Sequence, residues 1–290
     1  MTASPVGLRK YFEFVRFEHT VFSLPFALAA MAVAAHETHG WPGGRTFLLI
    51  LAAMVCGRTA AMGFNRIVDR KLDASNPRTA GRHLPTGQMS VTCAWWLVIG
   101  ASAGLVVVTW CINRICFALS PVALAVVFFY SFTKRFTDLS HFFLGLASGV
   151  APVGAWLAVR GQFDPPPMVL AVAVVFWLVG FDIIYATQDY ESDKALGLRS
   201  LPVRLGIEAS LQAARAAHAV MAAALLGFGL ISNLGVPYYV GLTIIVACLV
   251  AQHVVARNRD PVSLNVAFFR MNATISMVFL AAVVADVAMR

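Results

Sequence analysis

Two short acidic stretches hold the residues of this 290-residue chain best suited to chemistry. The first reads Asn65-Arg-Ile-Val-Asp69-Arg-Lys-Leu-Asp73, the second Asp182-Ile-Ile-Tyr185-Ala-Thr-Gln-Asp189-Tyr-Glu-Ser-Asp193. Steps of four residues pass a full helical turn by about 40°, so Asn65, Asp69 and Asp73 share a face of an α-helix. Steps of three, four and four do the same for Asp182, Tyr185, Asp189 and Asp193. The pairs are 120 residues apart in both members, Asp69 to Asp189 and Asp73 to Asp193. Each precedes a similar loop, Gly81-Arg82-His83-Leu84-Pro85 in one and Leu198-Arg199-Ser200-Leu201-Pro202 in the other.

Paired carboxylates beside lipid are costly unless a cation neutralises them. An oxygen-only ligand set, without His or Cys, selects a hard ion such as Mg²⁺ or Mn²⁺, which completes its shell with water and substrate phosphates. Basic residues accompany the acidic ones: Arg70, Lys71, Arg78 and Arg82 in one loop, Lys134 and Arg135 in another, Lys194 and Arg199 in a third. Carboxylates, a metal and Lys/Arg together can hold a diphosphate and stabilise its departure. A single Asp-x3-Asp at a helix end is ordinarily a solvated acidic turn or a partner for loop arginines. Two copies in register favour a site.

Composition dictates the scaffold that carries these residues. Apolar residues make up 59% of the chain and charged residues 12%, against about half and a quarter in a soluble domain. Runs long enough to cross a bilayer centre near Phe26, Met54, Gly104, Val126, Ser148, Val174, Ala222, Ile245 and Val278. The expectation is an all-α polytopic integral membrane protein of about nine transmembrane helices. Continuous Ala- and Leu-rich runs without alternation argue against a β-barrel. Cys56, Cys93, Cys111, Cys116 and Cys248 sit in or beside apolar runs at no metal spacing and read as small apolar residues. Gly7 to Phe17 suits an interfacial segment, and the first run reads as a retained helix rather than a signal peptide.

The net charge of +8 is read by position. With the N-terminus and the loops after spans two, four, six and eight on one side, that side holds fifteen Lys and Arg and the other four. Arg58, Arg215 and Arg270 lie within spans, which accounts for all 22. The basic side is expected to be cytoplasmic, in a bacterial inner membrane, and no nucleic-acid partner is needed to explain the charge. The two acidic stretches open cytoplasmic cap loops, about 69–88 and 189–210. Four spans separate them, which predicts a pseudo-repeat of two four-helix units with facing halves, within one domain over 1–290.

The run Asn65-x3-Asp69-Arg70-x2-Asp73-x4-Arg78-Thr79-x2-Arg82-x-Leu84-Pro85-x-Gly87 resembles the first aspartate-rich motif of the UbiA superfamily of intramembrane prenyltransferases. Asp182-x2-Tyr185-Ala186-x2-Asp189-x3-Asp193-x3-Gly197-x2-Ser200 resembles the second, and Tyr130-Ser131-x2-Lys134-Arg135 a basic segment after the fourth helix. The resemblance covers essentially the whole chain. It implies Mg²⁺-dependent transfer of a polyprenyl chain from polyprenyl diphosphate to an aromatic acid, 4-hydroxybenzoate or dihydroxynaphthoate, in ubiquinone or menaquinone biosynthesis. Asn65, Asp69, Asp73, Asp189 and Asp193 would hold metal, and Arg70, Lys134 and Arg135 would contact the diphosphate. Tyr185 would position the diphosphate or shield the allylic cation, and Arg78, Arg82 and Arg199 border the same mouth.

The sequence departs from relatives acting on 4-hydroxybenzoate at Arg66, at Arg82-His83-Leu84 and at Glu191-Ser192-Asp193. Phe22-Ser23-Leu24-Pro25-Phe26 and Ser200-Leu201-Pro202 resemble UbiA-like enzymes of menaquinone synthesis, so the acceptor stays open. Prenyl transfer to a haem, chlorophyll or lipid acceptor, and a secondary transporter, are the alternatives. Arg58, seven residues before Asn65 and about 10 Å deeper along the helix, needs an anion: an acceptor carboxylate or Asp182. Asp182 is also a candidate acceptor of the ring proton. Arg16, with Glu18 and His19, suits acceptor contact or interfacial snorkelling. Asn272 and Ser276 suit interhelical bonds or a cavity wall, and Asp286 a water interface. Among the histidines only His83 lies near the chemistry.

Overall fold

A computed structural model describes residues 8–15, 20–38, 40–257 and 261–290, and within them every regular element is helical. In chain order these are α1 (Leu8–Phe14), α2 (Thr20–His36), α3 (Gly44–Ser75), α4 (Val91–Ile112), α5 (Arg114–Thr133), α6 (Ser140–Arg160) and α7 (Pro165–Ala186). A 3-10 turn (Thr187–Asp189) leads to α8 (Tyr190–Ala195), followed by α9 (Leu201–Leu205), α10 (Ile207–Ile231), α11 (Val236–Arg257) and α12 (Pro261–Ala288). Eight helices among the described residues are long and apolar enough to cross a membrane, and Phe22–His36 is a shorter apolar one. Each of the nine predicted centres falls inside one of them. The protein is an integral membrane protein. Large apolar side chains such as Trp96, Trp110 and Val250 are exposed on these helices, as a lipid solvent requires.

The chain forms two compact units. One comprises residues 1–20 and 48–132. Its core is Phe14 and Val15 from the α1 segment, Ile67 from α3, Met89, and Ala94 and Val98 from α4. Tyr11 bonds to the Cys93 sulfur at 3.6 Å, which ties α1 to α4. Within the predicted interfacial segment, Leu8–Phe14 is a short helix that inserts Phe14 into this core. α3 has 32 residues, about 48 Å at 1.5 Å per residue, against about 30 Å of bilayer hydrocarbon. The surplus is polar, and it carries Asn65 to Asp73.

The other unit comprises residues 21–47 and 133–290. Its core draws Phe26, Trp177, Met221, Phe228, Tyr238, Ile275 and Phe279 from α2, α7, α10, α11 and α12. Glycines set the closest approach of α6 to α7. A Cβ at Gly145 would lie 2.6 Å from the Val175 carbonyl oxygen, and one at Gly149 would lie 3.1 Å from a Val175 methyl. With little hydrophobic drive between helices in lipid, such small-residue contact supplies the packing. Gly145→Ala is expected to lower the unfolding temperature in detergent through overpacking worth about 1–3 kcal/mol. Gly154→Ala on the same helix, where a Cβ meets nothing within 4 Å, should leave it unchanged.

Polar side chains inside this unit are bonded between helices. Asn272 Oδ1 accepts from Trp177 Nε1 at 3.1 Å and from Gln252 Nε2 at 2.8 Å, joining α7, α11 and α12. The structure therefore gives Asn272 the interhelical role. His218 and His253 bond at 2.9 Å between α10 and α11, a pairing that sequence separation conceals. Asp286 differs from its expectation as well, because it is 1% exposed rather than at a water interface. Its Oδ2 accepts the Gly235 amide at 2.6 Å, which satisfies a donor at the start of α11 where negative charge is favoured.

Candidate active site

The first acidic stretch is one continuous face of α3, as its spacing predicts. Asn65 Nδ2 donates to Asp69 Oδ2 at 3.1 Å. One turn further, Asp73 is buried, with its Oδ1 2.5 Å from Arg82 Nη1 and its Oδ2 4.0 Å from Arg66 Nη1. The Asp73 carbonyl accepts from Thr79 Oγ1 at 3.0 Å, which folds the loop back on the helix end. Further on, Met89 N donates to His83 O at 3.1 Å around Gly87, whose φ of +71° is left-handed and favours glycine. The loop is thereby built to present Arg82 to Asp73.

His83 packs edge-on to Phe14, 6.1 Å between centroids, with Nε2 3.9 Å from Glu13. Burial holds its pKa below the ordinary value; Lys10 and Arg66 act in the same direction and Glu13 opposes them. Since the docked imidazole binds a proton less readily than a free one, docking is favoured above about pH 6.5 and weakens as pH falls below it. Protection of the Met89 amide, taken relative to its intrinsic exchange rate at each pH, should fall as pH drops below about 6.5, and His83→Gln should remove that dependence.

The second acidic stretch departs from its predicted geometry. α7 ends at Ala186 and the 3-10 turn carries Asp189, before α8 carries Asp193. Three residues at 120° instead of 100° rotate the next helix by about 60°, so one straight α-helical face does not run from Asp182 to Asp193. Both Asp189 and Asp193 are nevertheless buried, at 7% and 6% exposure. The loop beyond them is clasped to the α5–α6 connection. Arg199 N donates to Lys134 O at 3.1 Å, Arg199 Nη1 to Phe136 O at 2.9 Å, and Arg204 pairs with Asp138 at 3.0 Å. Lys134 and Arg135 are thereby tied to the second acidic segment, with Arg199 as the clasp. Lys194 lies over the Tyr190 ring at 5.7 Å.

Asp182 has a partner that sequence inspection missed: His141 Nδ1 lies 2.6 Å from Asp182 Oδ2. The available signal was a histidine in the first turn of an apolar helix, one and two turns before Gly145 and Gly149. Among the other predicted residues, Arg70, Arg78 and Arg135 are exposed, and Arg58, Lys134 and Tyr185 are half-buried. Arg16, Glu18 and His19 lie outside the described residues, as does Arg259 from the charge count. The five cysteines are free thiols, in keeping with their apolar reading.

Among the described residues no three His, Cys, Asp or Glu side chains gather to hold a metal by themselves. An ion at either aspartate pair therefore needs ligands from elsewhere, which Mg²⁺ commonly takes from phosphate and water. The donors fit such an ion. Asp73 Oδ2 is buried without a hydrogen-bond partner while Oδ1 is engaged by Arg82, so one anionic oxygen remains available.

Among the described residues the protein thus has an all-helical membrane architecture, with one aspartate pair at the polar end of α3 and another just beyond α7. The chain belongs to the UbiA prenyltransferase family, which it matches over residues 23–274. It is 32% identical over 259 residues to a 4-hydroxybenzoate octaprenyltransferase of Pseudomonas aeruginosa, covering 87% of this chain and 84% of that one. The apo structure of a UbiA homologue from Aeropyrum pernix superposes with a TM-score of 0.84 at 30% identity, covering 93% of this chain and 98% of the other. A UbiA homologue from Archaeoglobus fulgidus, solved with DMAPP and Mg²⁺, shares the fold with a TM-score of 0.75 at 23% identity, covering 97% and 100%. The chain is thus a prenyltransferase, and the transporter alternative falls.

Proposed function

We propose that the protein transfers a polyprenyl chain from polyprenyl diphosphate to an aromatic acid, with Mg²⁺, as one transmembrane domain of an inner membrane. The observation that carries this reading is the matched pair of aspartate segments, in a chain similar to 4-hydroxybenzoate octaprenyltransferases over most of its length. Asn65, Asp69 and Asp73 on α3, with Asp189 and Asp193 after α7, would hold the metal. Bound there, Mg²⁺ would supply positive charge to the leaving diphosphate. Arg70, Arg78, Lys134 and Arg135 add charge to the same anion, with Arg82 shared between it and Asp73. Tyr185 lies one turn before Asp189, where its ring face can stabilise an allylic cation as the diphosphate leaves. Arg58, deeper on α3, suits the acceptor carboxylate.

The fifteen-to-four distribution of Lys and Arg supports a cytoplasmic N-terminus and a cytoplasmic active site. Dihydroxynaphthoate is the second acceptor to weigh, favoured by Phe22-Ser23-Leu24-Pro25-Phe26 and Ser200-Leu201-Pro202. Membranes holding the protein, given labelled polyprenyl diphosphate and Mg²⁺, should prenylate 4-hydroxybenzoate or dihydroxynaphthoate when each is offered separately. Prenylation of neither would overturn the aromatic-acid reading and turn attention to haem, chlorophyll or lipid acceptors.

A further inference from the structure

We propose that His141 is a positioning residue for Asp182, and that Asp182, so held, takes the proton the acceptor ring loses on prenylation. The proposal rests on the aromatic-acid reading above and adds the proton's destination. Five observations on α6 and α7 carry it. The His141–Asp182 contact, at 2.6 Å, is short for an N–H···O bond and typical of a charge-assisted one. The two ends of the dyad differ in access, since the His141 side chain is 2% exposed and that of Asp182 is 22% exposed. The carboxylate is therefore the end that a ligand can reach, and the imidazole is sealed behind it.

His141 is not explained by packing alone. Its Nε2 is buried without a hydrogen-bond partner, an arrangement that an apolar residue of similar size would avoid. With a proton on Nδ1 it donates to Asp182, and Nε2 is left as the unmatched atom. The approach of the two helices is fixed beneath it. His141, Gly145 and Gly149 recur every four residues, and a Cβ added at either glycine would meet α7 at 3.1 Å or less. Antiparallel packing at that seam sets His141 against Asp182. The position of Asp182 also separates it from the metal aspartates. It lies seven residues before Asp189, about 10–12 Å along the axis, too far to share an ion and at a depth suited to an acceptor below the diphosphate.

The step balances. The allylic C–O bond breaks with its electrons leaving on diphosphate, and a ring π pair forms the new C–C bond. The C–H electrons at that carbon then restore the aromatic ring. The proton passes to the Asp182 carboxylate, and from there to water once product has left.

The test compares wild type, His141→Ala, His141→Asn and Asp182→Ala in single turnovers at saturating acceptor, using protio and ring-deuterated forms of whichever acid the wild type prenylates. In wild type, proton loss comes after a slower attack and no primary isotope effect is expected. His141→Ala should lower the rate about 10- to 100-fold and bring out a normal primary isotope effect, with the KM for polyprenyl diphosphate unchanged. Asp182→Ala should show the same signature. His141→Asn, whose amide nitrogen takes the place of Nδ1, should restore most of the rate and remove the isotope effect. If wild type prenylates an acid while His141→Ala keeps its rate, or loses rate with no isotope effect, the dyad's role is overturned and the aromatic-acid reading stands. If wild type prenylates neither acid, that reading falls and the dyad's role falls with it.

Discussion

Alanine at Asp189 is expected to reduce turnover about 1,000-fold or more, a loss of about 4 kcal/mol of transition-state stabilisation. The fold should survive the change, and unfolding in detergent should move to an equal or higher temperature. Asp189 is 7% exposed, and holding an ionised carboxylate out of water costs free energy that a functional site tolerates. Asp69→Ala should lose activity similarly, since it removes an anionic ligand from the metal site proposed on the α3 face. Asp189→Asn, which keeps an oxygen ligand without the charge, should need more Mg²⁺ to reach half-maximal rate. The measurements are prenyl transfer across a Mg²⁺ titration, with thermal unfolding in parallel. Near-normal turnover in both alanine variants would remove the metal-site assignment.

Arg82→Ala is expected to act on stability as well as activity. Its guanidinium lies 2.5 Å from the buried Asp73, and without it an ionised oxygen is left inside the protein with no close partner. Leaving a buried charged acceptor unmatched costs about 1–3 kcal/mol, with the neighbouring Arg66 at 4.0 Å offsetting only part. Asp73→Ala leaves the opposite orphan, but Arg82 is the more exposed partner at 22% against 9% and can reach water. The double variant should therefore recover stability relative to Arg82→Ala, giving a coupling that a double-mutant cycle measures. Arg78→Ala, at an exposed position, should weaken diphosphate binding and leave unfolding unchanged. Equal unfolding temperatures for Arg82→Ala and wild type would show that the pair does not hold the loop.

The eight spanning helices and the shorter apolar helix of the described residues were legible because lipid imposes an apolar run on every crossing, and no tertiary detail is needed to see one. The α3 face was legible too, since Asn65, Asp69 and Asp73 stay in one unbroken helix. Spacing failed at Asp189. Hydrophobic pattern and the four-residue step cannot distinguish a continued α-helix from a 3-10 turn, because both keep the polar residues together in sequence. The division into compact units was not legible either. A repeat seen in chain order predicts four-helix units, whereas one observed unit holds the spans of α3, α4 and α5 and the other holds those of α6, α7, α10, α11 and α12 with the shorter α2. Compactness depends on which helices approach closely, as α6 and α7 do at Gly145. His141 was missed for the same reason: its partner Asp182 is 41 residues away, and only the glycine seam brings them together.

The glycines of the second unit divide by what opposes them. At Gly180 an added methyl would meet the His218 ring at 2.2 Å, and at Gly229 it would meet the Tyr238 ring at 2.4 Å. Those obstacles are side chains, and a smaller residue on the opposing helix would remove them. At Gly145 the obstacle is the Val175 carbonyl and Cα, which every residue type carries. Evolution can therefore renegotiate 180 with 218, or 229 with 238, through paired exchanges that leave a statistical trace of covariation. Position 145 has no such trading partner. In related chains it should stand fixed and alone, while the other two drift in pairs.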